Sequence, residues 1–435
     1  MSAAQTLAQS LSHARWSLDH TAFKTILAET PNLLIIQDLD GVCMGLVQDP
    51  LQRAIAPEYV QAAQLFEPHF YVLTNGEHIG SRGVNHIVEQ AFASPEQVQQ
   101  AALYLPGLAA GGVQWQTRNG QVSHPGVSEA ELAFLQAIPA RLRAALDQFF
   151  VTHIPQLEPQ LRHQYVAACV LDNVASPTLN LNTAYAALAH QVELYQQLQQ
   201  AAQHWLEELQ TEATQNGLAD AFFLHLAPNL GHDADGAEIL KSAQTGDSGT
   251  TDFQFMLRGA IKEAGVLAIL NHYYAQRTGR YPLGQDFSAR QAPKTLPDLL
   301  ACVKTAFDPV HMPLMVGVGD TVTSQGMANA KGQLEFKRGG SDRHFLELIQ
   351  AIGQAFEQPN LVVYIDSSQG EVKNRKPLEL EQQNGQPIVV EGPGDARDTH
   401  DPLTLNVVFP DGHVQYTTLF QQAAQQRQAA LAAAS

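Results

Sequence analysis

The sequence predicts an α/β protein whose core is a parallel β-sheet covered by helices. The first observation is a set of four short apolar runs that end in polar residues or glycine, a pattern typical of strands buried on both faces. The second is that helical patterns lie between these runs, and this alternation predicts a doubly wound sheet. The apolar runs cover residues 32–38, 70–74, 313–320 and 360–366, and the helical patterns cover residues 57–66, 83–92, 259–274 and 344–356.

A different pattern interrupts this core between about residues 120 and 250. A long amphipathic helix is expected at residues 192–209, followed by a strand at residues 222–226. We therefore predict an inserted second domain at residues 123–254, between the two parts of the core at residues 1–122 and 255–435. A strand at residues 405–409 and a helix at residues 415–430 are expected to complete the core.

The composition fits a globular protein and excludes several classes of partner. The chain has 435 residues and a formal net charge of −18, with three widely spaced cysteines. Nucleic acids and anionic membrane surfaces attract basic proteins, so neither is an expected partner. No apolar run reaches the ~20 residues that cross a bilayer. Residues 1–13 lack the basic and apolar segments of a secretory signal, so we expect a cytoplasmic protein.

Two carboxylates stand at the end of the first predicted strand, in Asp38-Leu39-Asp40-Gly41-Val42. Ligands of open α/β sheets bind at the carboxyl ends of the strands. Two buried carboxylates so close together are costly unless hydrogen bonds or a cation compensate them. The sequence therefore predicts a site for a divalent cation and for chemistry here. Patterns for dinucleotide binding, phosphate loops, zinc proteases and serine nucleophiles are absent.

This string resembles the nucleophile motif of the haloacid dehalogenase (HAD) superfamily. The resemblance implies a HAD-like Rossmannoid core with an inserted C2-type α+β cap. It also implies that Asp38 is the nucleophile that forms an aspartyl-phosphate and that Asp40 is the general acid and base. Thr74, at the end of the second strand, corresponds to the hydroxyl that binds the phosphoryl group. Lys262 resembles the lysine of the superfamily, and Lys241 is the alternative.

The resemblance further implies a Mg²⁺ site. Asp320 in Gly319-Asp320-Thr321 matches the acidic metal motif, and it is expected to hold Mg²⁺ with Asp38 and the backbone carbonyl of Asp40. The second acid expected four residues later is Ser324 here. Asp342 could replace it after an insertion.

Four strings, the first of which contains the Asp38–Val42 motif, resemble the glucosylglycerol 3-phosphatases of cyanobacteria. They cover residues 37–50, 104–114, 246–258 and 364–374. This resemblance implies a phosphoric monoester hydrolase that converts glucosylglycerol 3-phosphate to the compatible solute glucosylglycerol during salt acclimation. A glucosylglycerol-phosphate synthase is the implied partner. The alternatives are a phosphatase for sucrose or trehalose phosphate, and a non-catalytic sugar-phosphate-binding partner of the synthase.

Candidate substrate-binding residues lie near predicted strand ends or loops, and most of them are polar. The candidates are Asn75, Gly76, Asp247, Thr250, Asp252 and Arg290.

Overall fold

The computed structural model describes residues 2–47, 50–188, 190–233, 236–259, 261–329, 332–372 and 375–434. It divides the chain into two compact units. The first unit comprises Met1–His78, Gly83–Gly126 and Ala260–Ser435, and the second comprises Ile79–Arg82 and Val127–Gly259. Short parts of the expected helix 259–274 and of the strings 37–50 and 364–374 lie outside the described residues.

A mainly parallel sheet forms the centre of the first unit. Its strands are β1 (Leu33–Gln37), β2 (Phe70–Leu73), β3 (Gly107–Ala109), β4 (Gln114–Gln116), β5 (Val122–Ser123), β11 (Leu314–Gly319), β14 (Leu361–Ile365) and β17 (Val407–Phe409), numbered along the chain. Their order in the sheet is β17-β14-β11-β1-β2-β3-β4-β5. The strands from β17 to β3 pair in parallel, and β4 and β5 add an antiparallel edge. The predicted fold class is therefore confirmed.

Helices cover both faces of this sheet. They are α1 (Ala3–Ser12), α2 (His20–Glu29), α3 (Pro57–Leu65), α4 (Val84–Gln90), α5 (Pro95–Gln100), α10 (Lys262–Thr278), α11 (Leu296–Ala306), α12 (Arg343–Ala355) and α13 (Gly412–Ala434). Successive side chains of a strand point to opposite faces. Accordingly, Leu33 and Ile35 of β1 enter one buried cluster, while Leu34 and Ile36 enter the other.

The second unit has its own helices and antiparallel strands. The helices are α6 (Glu129–His153), α7 (Pro159–Cys169), α8 (Asn182–Leu188) and α9 (Val192–Gln215). The strands are β6 (Thr178–Asn180), β7 (Phe222–Ala227), β8 (Asn229–His232), β9 (Glu238–Leu240) and β10 (Asp252–Leu257), and β6, β10 and β7 form one sheet. The expected helix 192–209 is α9, which continues to Gln215, and the expected strand 222–226 is β7.

Two exposed hairpins in the first unit have no counterpart in the predicted elements. One pairs β12 (Thr323–Ala328) with β13 (Leu334–Gly339), and the other pairs β15 (Glu379–Gln383) with β16 (Gln386–Glu391). The first of these hairpins lies in the chain between Asp320 and Asp342. Within the described ranges, the structure has no helix long and apolar enough to cross a membrane.

Candidate active site

Asp38 lies directly after β1, at the carboxyl end of the parallel sheet. Its backbone N–H donates to the Val318 carbonyl at 3.0 Å, which continues the ladder with β11. Its side chain is buried, and Oδ1 accepts the Leu39 backbone N–H at 2.8 Å. Burial raises the pKa of the Asp38 carboxyl well above its usual range, although the positive charge of Lys262 opposes that effect. A cation at this position therefore stabilises the ionised form of Asp38.

Lys262 supplies such a cation from the first residue of α10. Its Nζ donates to Asp38 Oδ2 at 2.7 Å and to Asp342 Oδ1 at 2.8 Å, and its side chain is only 3% exposed. Burial alone would lower the pKa of Lys262, but the charges of Asp342 and Asp38 outweigh burial and raise it. Lys262 therefore stays protonated and links two carboxylates that are distant in the sequence, Asp38 after β1 and Asp342 at the start of α12.

Asp342 connects this lysine to the loop that follows β11. Its Oδ2 accepts the backbone N–H groups of Asp320 and Thr321 at 2.9 Å and 3.0 Å. Burial raises the pKa of Asp342, but Lys262 outweighs that effect and the pKa lies below its usual value. The structure therefore brings Asp342, which the sequence offered only as a replacement for the missing acid, into the centre of the site.

One carboxylate oxygen of Asp320 accepts no hydrogen bond from the residues that the structure describes. Oδ1 accepts the Thr321 hydroxyl at 2.7 Å, whereas the buried Oδ2 has no hydrogen-bond partner among the described residues. Burial, reinforced by the charge of Asp342, raises the pKa of Asp320 to about 7. An unsatisfied buried carboxylate oxygen costs free energy unless a cation or donor meets it.

The carboxylates of Asp38, Asp320 and Asp342 can together hold a metal ion. Each offers an oxygen, and these atoms all lie within 4.8 Å of one another. Oxygen-only ligand sets of this kind suit Mg²⁺. Oδ2 of Asp320, which accepts no hydrogen bond from the described residues, also fits a cation, so the residues present are compatible with the expected metal.

Gly41 allows this close arrangement of acids. Its φ is +77°, a conformation that side chains disfavour, and a Cβ at this position would collide with the Asp320 carboxylate. Glycine therefore lets the loop after Asp40 turn directly against Asp320.

Asp40 does not join the three clustered carboxylates through its side chain. Its Oδ2 instead accepts a hydrogen bond from Nη1 of Arg53 at 3.0 Å. Asp40 is 34% exposed and thus remains reachable from solvent, whereas Asp38 is largely enclosed. The expected role of Asp40 in metal binding concerns its backbone carbonyl and stays a prediction.

Thr74 ends the neighbouring strand β2. Its hydroxyl is buried and accepts the Gly76 backbone N–H at 3.3 Å, while Asn75 between them is exposed. The carbonyls of Thr74 and Gly76 accept hydrogen bonds from the backbone N–H groups of Gly111 and Ala110, respectively. These bonds fix the turn against the segment that follows β3. Thr74, Asn75 and Gly76 therefore form an ordered turn after β2.

Three of the predicted substrate-binding residues lie in the second unit. Asp247 pairs with Lys241 at 2.7 Å, which places the alternative lysine there too. The Thr250 hydroxyl donates to the Pro228 carbonyl at 2.7 Å, and Asp252 accepts from Asn180 at 2.7 Å. Arg290 belongs to the first unit, where its guanidinium donates to the Gly126 carbonyl at 2.8 Å. Their contact with substrate stays a prediction.

Sequence reasoning missed two arginines near these carboxylates. Arg53 pairs with Asp40, and Arg375 donates to the Thr321 hydroxyl at 3.0 Å, with its Nε 3.8 Å from Asp320 Oδ2. Neither lies in a recognised motif, because each comes from an irregular loop. Ser324, the departure from the acidic motif, lies on β12, and its hydroxyl accepts the Asp395 N–H at 3.0 Å.

Comparison with known proteins decides the family. Residues 32–424 match the family model described as glucosylglycerol-phosphate phosphatase. The chain belongs to this family. It is also 59% identical over 417 residues to the glucosylglycerol-phosphate phosphatase of Synechocystis sp., a match that covers 96% of this chain and 98% of that protein. Membership confirms the prediction that the chain is a phosphatase.

The solved structures that match this chain are distant from it. The trehalose-6-phosphate phosphatase of Aspergillus fumigatus is 8% identical with a TM-score of 0.37, and the C-terminal domain of the Candida albicans enzyme is 10% identical with a TM-score of 0.41. Each comparison covers 94% of this chain and 99% of the other. Similarity at this level carries no information on substrate.

Proposed function

We propose that the chain is a Mg²⁺-dependent phosphatase that hydrolyses 2-O-(α-D-glucosyl)-sn-glycerol 3-phosphate to glucosylglycerol and phosphate. The observation that carries the chemical part is the group of buried carboxylates around the Lys262 ammonium, with Asp38 at the end of β1. The substrate is inferred from the 59% identity to the Synechocystis protein, whose name gives a glucosylglycerol phosphate as its substrate.

The reaction begins with attack of an Asp38 carboxylate oxygen on phosphorus. The bond between phosphorus and the glycerol oxygen breaks, and Asp40 gives its proton to the departing oxygen. Lys262 keeps Asp38 ionised and oriented, and the Thr74 hydroxyl and Lys262 hold the phosphoryl oxygens. The products of this half-reaction are glucosylglycerol and a phosphoryl group bound to Asp38.

Hydrolysis of the acyl-phosphate restores the protein. Asp40, now ionised, takes a proton from water while the water oxygen attacks phosphorus. The bond between phosphorus and the Asp38 oxygen then breaks, and inorganic phosphate leaves. The 34% exposure of Asp40 suits this role, since it must exchange protons with the leaving group and with water.

In this proposal Asp38, Asp320 and the backbone carbonyl of Asp40 would hold Mg²⁺, with Asp342 beside them. The bound ion would supply positive charge that offsets the repulsion between these carboxylates and the phosphoryl group. The second unit is proposed as a C2-type cap, corresponding to the predicted residues 123–254, that excludes water and selects the substrate. Contacts to the substrate are assigned to Asn75, Gly76, Asp247, Thr250, Asp252 and Arg290.

The proposed setting is the cytoplasm, where the enzyme completes compatible-solute synthesis during salt acclimation. A glucosylglycerol-phosphate synthase would supply the substrate. Phosphate release from glucosylglycerol 3-phosphate, sucrose 6-phosphate and trehalose 6-phosphate tests the substrate. We expect the highest kcat/KM on the first ester. A comparable kcat/KM on sucrose 6-phosphate would contradict the assignment, and absence of release from every ester would favour the non-catalytic alternative.

A further inference from the structure

Arg53 is a cation that the sequence motifs do not identify. It follows the short 3-10 helix Pro50–Gln52, on the chain that continues from the nucleophile loop. Its side chain is 11% exposed, and its Nη1 donates to Asp40 Oδ2 at 3.0 Å. A guanidinium this close to the proposed general acid lies within the catalytic region.

The same guanidinium also faces the turn that follows β2. The point where a Cβ on Gly76 would lie is 3.8 Å from Thr74 Oγ1 and 3.9 Å from Arg53 Nη1. Because Gly76 has no side chain, the hydroxyl and the guanidinium border the same space. Arg53 therefore lies between Asp40 and the turn that carries the proposed phosphoryl-binding hydroxyl.

The charges of the site require further positive charge when a phosphate ester arrives. Lys262 already donates to two carboxylates, those of Asp38 and Asp342. A guanidinium has five N–H donors in a planar fork, so it can bond one carboxylate and a phosphoryl oxygen at the same time. An ammonium group in its place would act as a single point charge.

We infer that Arg53 is a further phosphoryl-binding residue of this site. It donates to a phosphoryl oxygen of the substrate beside Thr74 while it keeps its bond to Asp40, and so directs that carboxyl toward the leaving oxygen. This inference rests on the proposed function, which brings the phosphoryl group to Asp38. Its content is a direct contact with substrate, beyond the ion pair that the structure contains.

A double-mutant cycle with inorganic phosphate as the probe tests the contact. Binding of phosphate in the presence of Mg²⁺ is measured by calorimetry for wild type, Arg53→Gln, Asp40→Asn and the double variant. Charged hydrogen bonds of this kind contribute roughly 10- to 100-fold in affinity. We expect Arg53→Gln to weaken phosphate binding at least about tenfold, and by a similar factor when Asp40→Asn is already present.

Two further variants test whether the guanidinium of Arg53 itself is needed for phosphate binding. Arg53→Lys keeps the charge and loses the fork, so an intermediate affinity is expected. Arg397→Gln is the matched control, because Arg397 is an exposed arginine of the same unit that pairs with Asp395. It should leave phosphate affinity and ester hydrolysis unchanged.

The outcomes separate the inference from the proposed function. Equal phosphate affinity of Asp40→Asn and the double variant would overturn the inference, because Arg53 would then act only by pairing with Asp40. Unchanged affinity in Arg53→Gln would overturn it as well. Failure of the wild-type chain to release phosphate from any ester would instead overturn the proposed function, whatever the cycle shows.

Discussion

A Lys262→Met substitution removes the ammonium group and keeps most of the side-chain volume. In the structure this ammonium donates 2.7 Å and 2.8 Å hydrogen bonds to two buried carboxylates. Removing one partner of a buried ion pair costs about 3–5 kcal/mol, because it leaves an uncompensated charge. We therefore expect the free energy of unfolding in EDTA to fall by about that amount.

Activity should fall for a separate reason. Loss of one preorganised donor from a catalytic site typically lowers kcat by about 10²–10³. Adding Asp342→Asn removes one of the two orphaned charges, so the double variant should regain roughly half of the lost stability by this reasoning. It should regain no activity, because the cation that holds Asp38 and the phosphoryl group is still missing.

Urea unfolding followed by circular dichroism gives the stabilities, and phosphate release gives the activities. Lys304→Met is the control, since Lys304 is exposed on α11 and its loss should change stability by no more than about 0.5 kcal/mol. Wild-type stability for Lys262→Met, or wild-type kcat, would refute the reasoning from the buried ion pairs.

Three further predictions concern the nucleophile, the metal and pH. Asp38→Asn should abolish phosphate release with the fold retained by circular dichroism; wild-type turnover would remove Asp38 from that role. EDTA should stop hydrolysis and Mg²⁺ should restore it, whereas activity indifferent to chelation would contradict the metal assignment. Burial lowers the pKa of His69 and of His78 from 6.5 to about 4, so the unfolded state binds more protons between these values. The stability that these two neutral histidines contribute should be fully present above pH 6.5 and should decrease toward pH 4, by about 3 kcal/mol per histidine. The urea midpoint of His78→Asn should therefore fall less steeply with pH than that of the wild type. An equal fall in the two proteins would contradict this cause.

The central strands could be predicted because their burial leaves a direct trace in the sequence. β1, β2, β11 and β14 are buried throughout and almost entirely apolar, and each lies within a predicted run. The hairpin strands β12 and β15 are mostly exposed on both faces. They carry no hydrophobic alternation, so periodicity could not reveal them.

In the second unit, a proline within the sequence of α6 made this helix difficult to predict. α6 has buried residues at helical spacing, including Leu135, Ile138, Leu142 and Leu146. Pro139 lies inside this helix, and a proline usually marks a helix boundary. Tertiary packing of the apolar face evidently outweighs that cost, which the sequence pattern alone does not express.

Some residues of the candidate site could be located from the sequence, and others could not. Asp38, Thr74 and Asp320 could be found because each follows a buried strand. The pairing of Lys262 with Asp342 could not, since a hairpin of unpredicted structure separates Asp342 from Asp320. Arg53 and Arg375 come from loops, where spacing along the chain says little about position in space.

Phosphate bound to Asp38 during turnover would be direct evidence for the proposed nucleophile. The wild-type chain would be quenched in acid while it hydrolyses glucosylglycerol 3-phosphate, and its peptides mapped by mass spectrometry with and without borohydride reduction. We expect an acyl-phosphate on the peptide that contains Asp38, and borohydride should convert the residue at that position to homoserine. Steady turnover with that aspartate unmodified, or phosphate on another residue, would contradict this expectation.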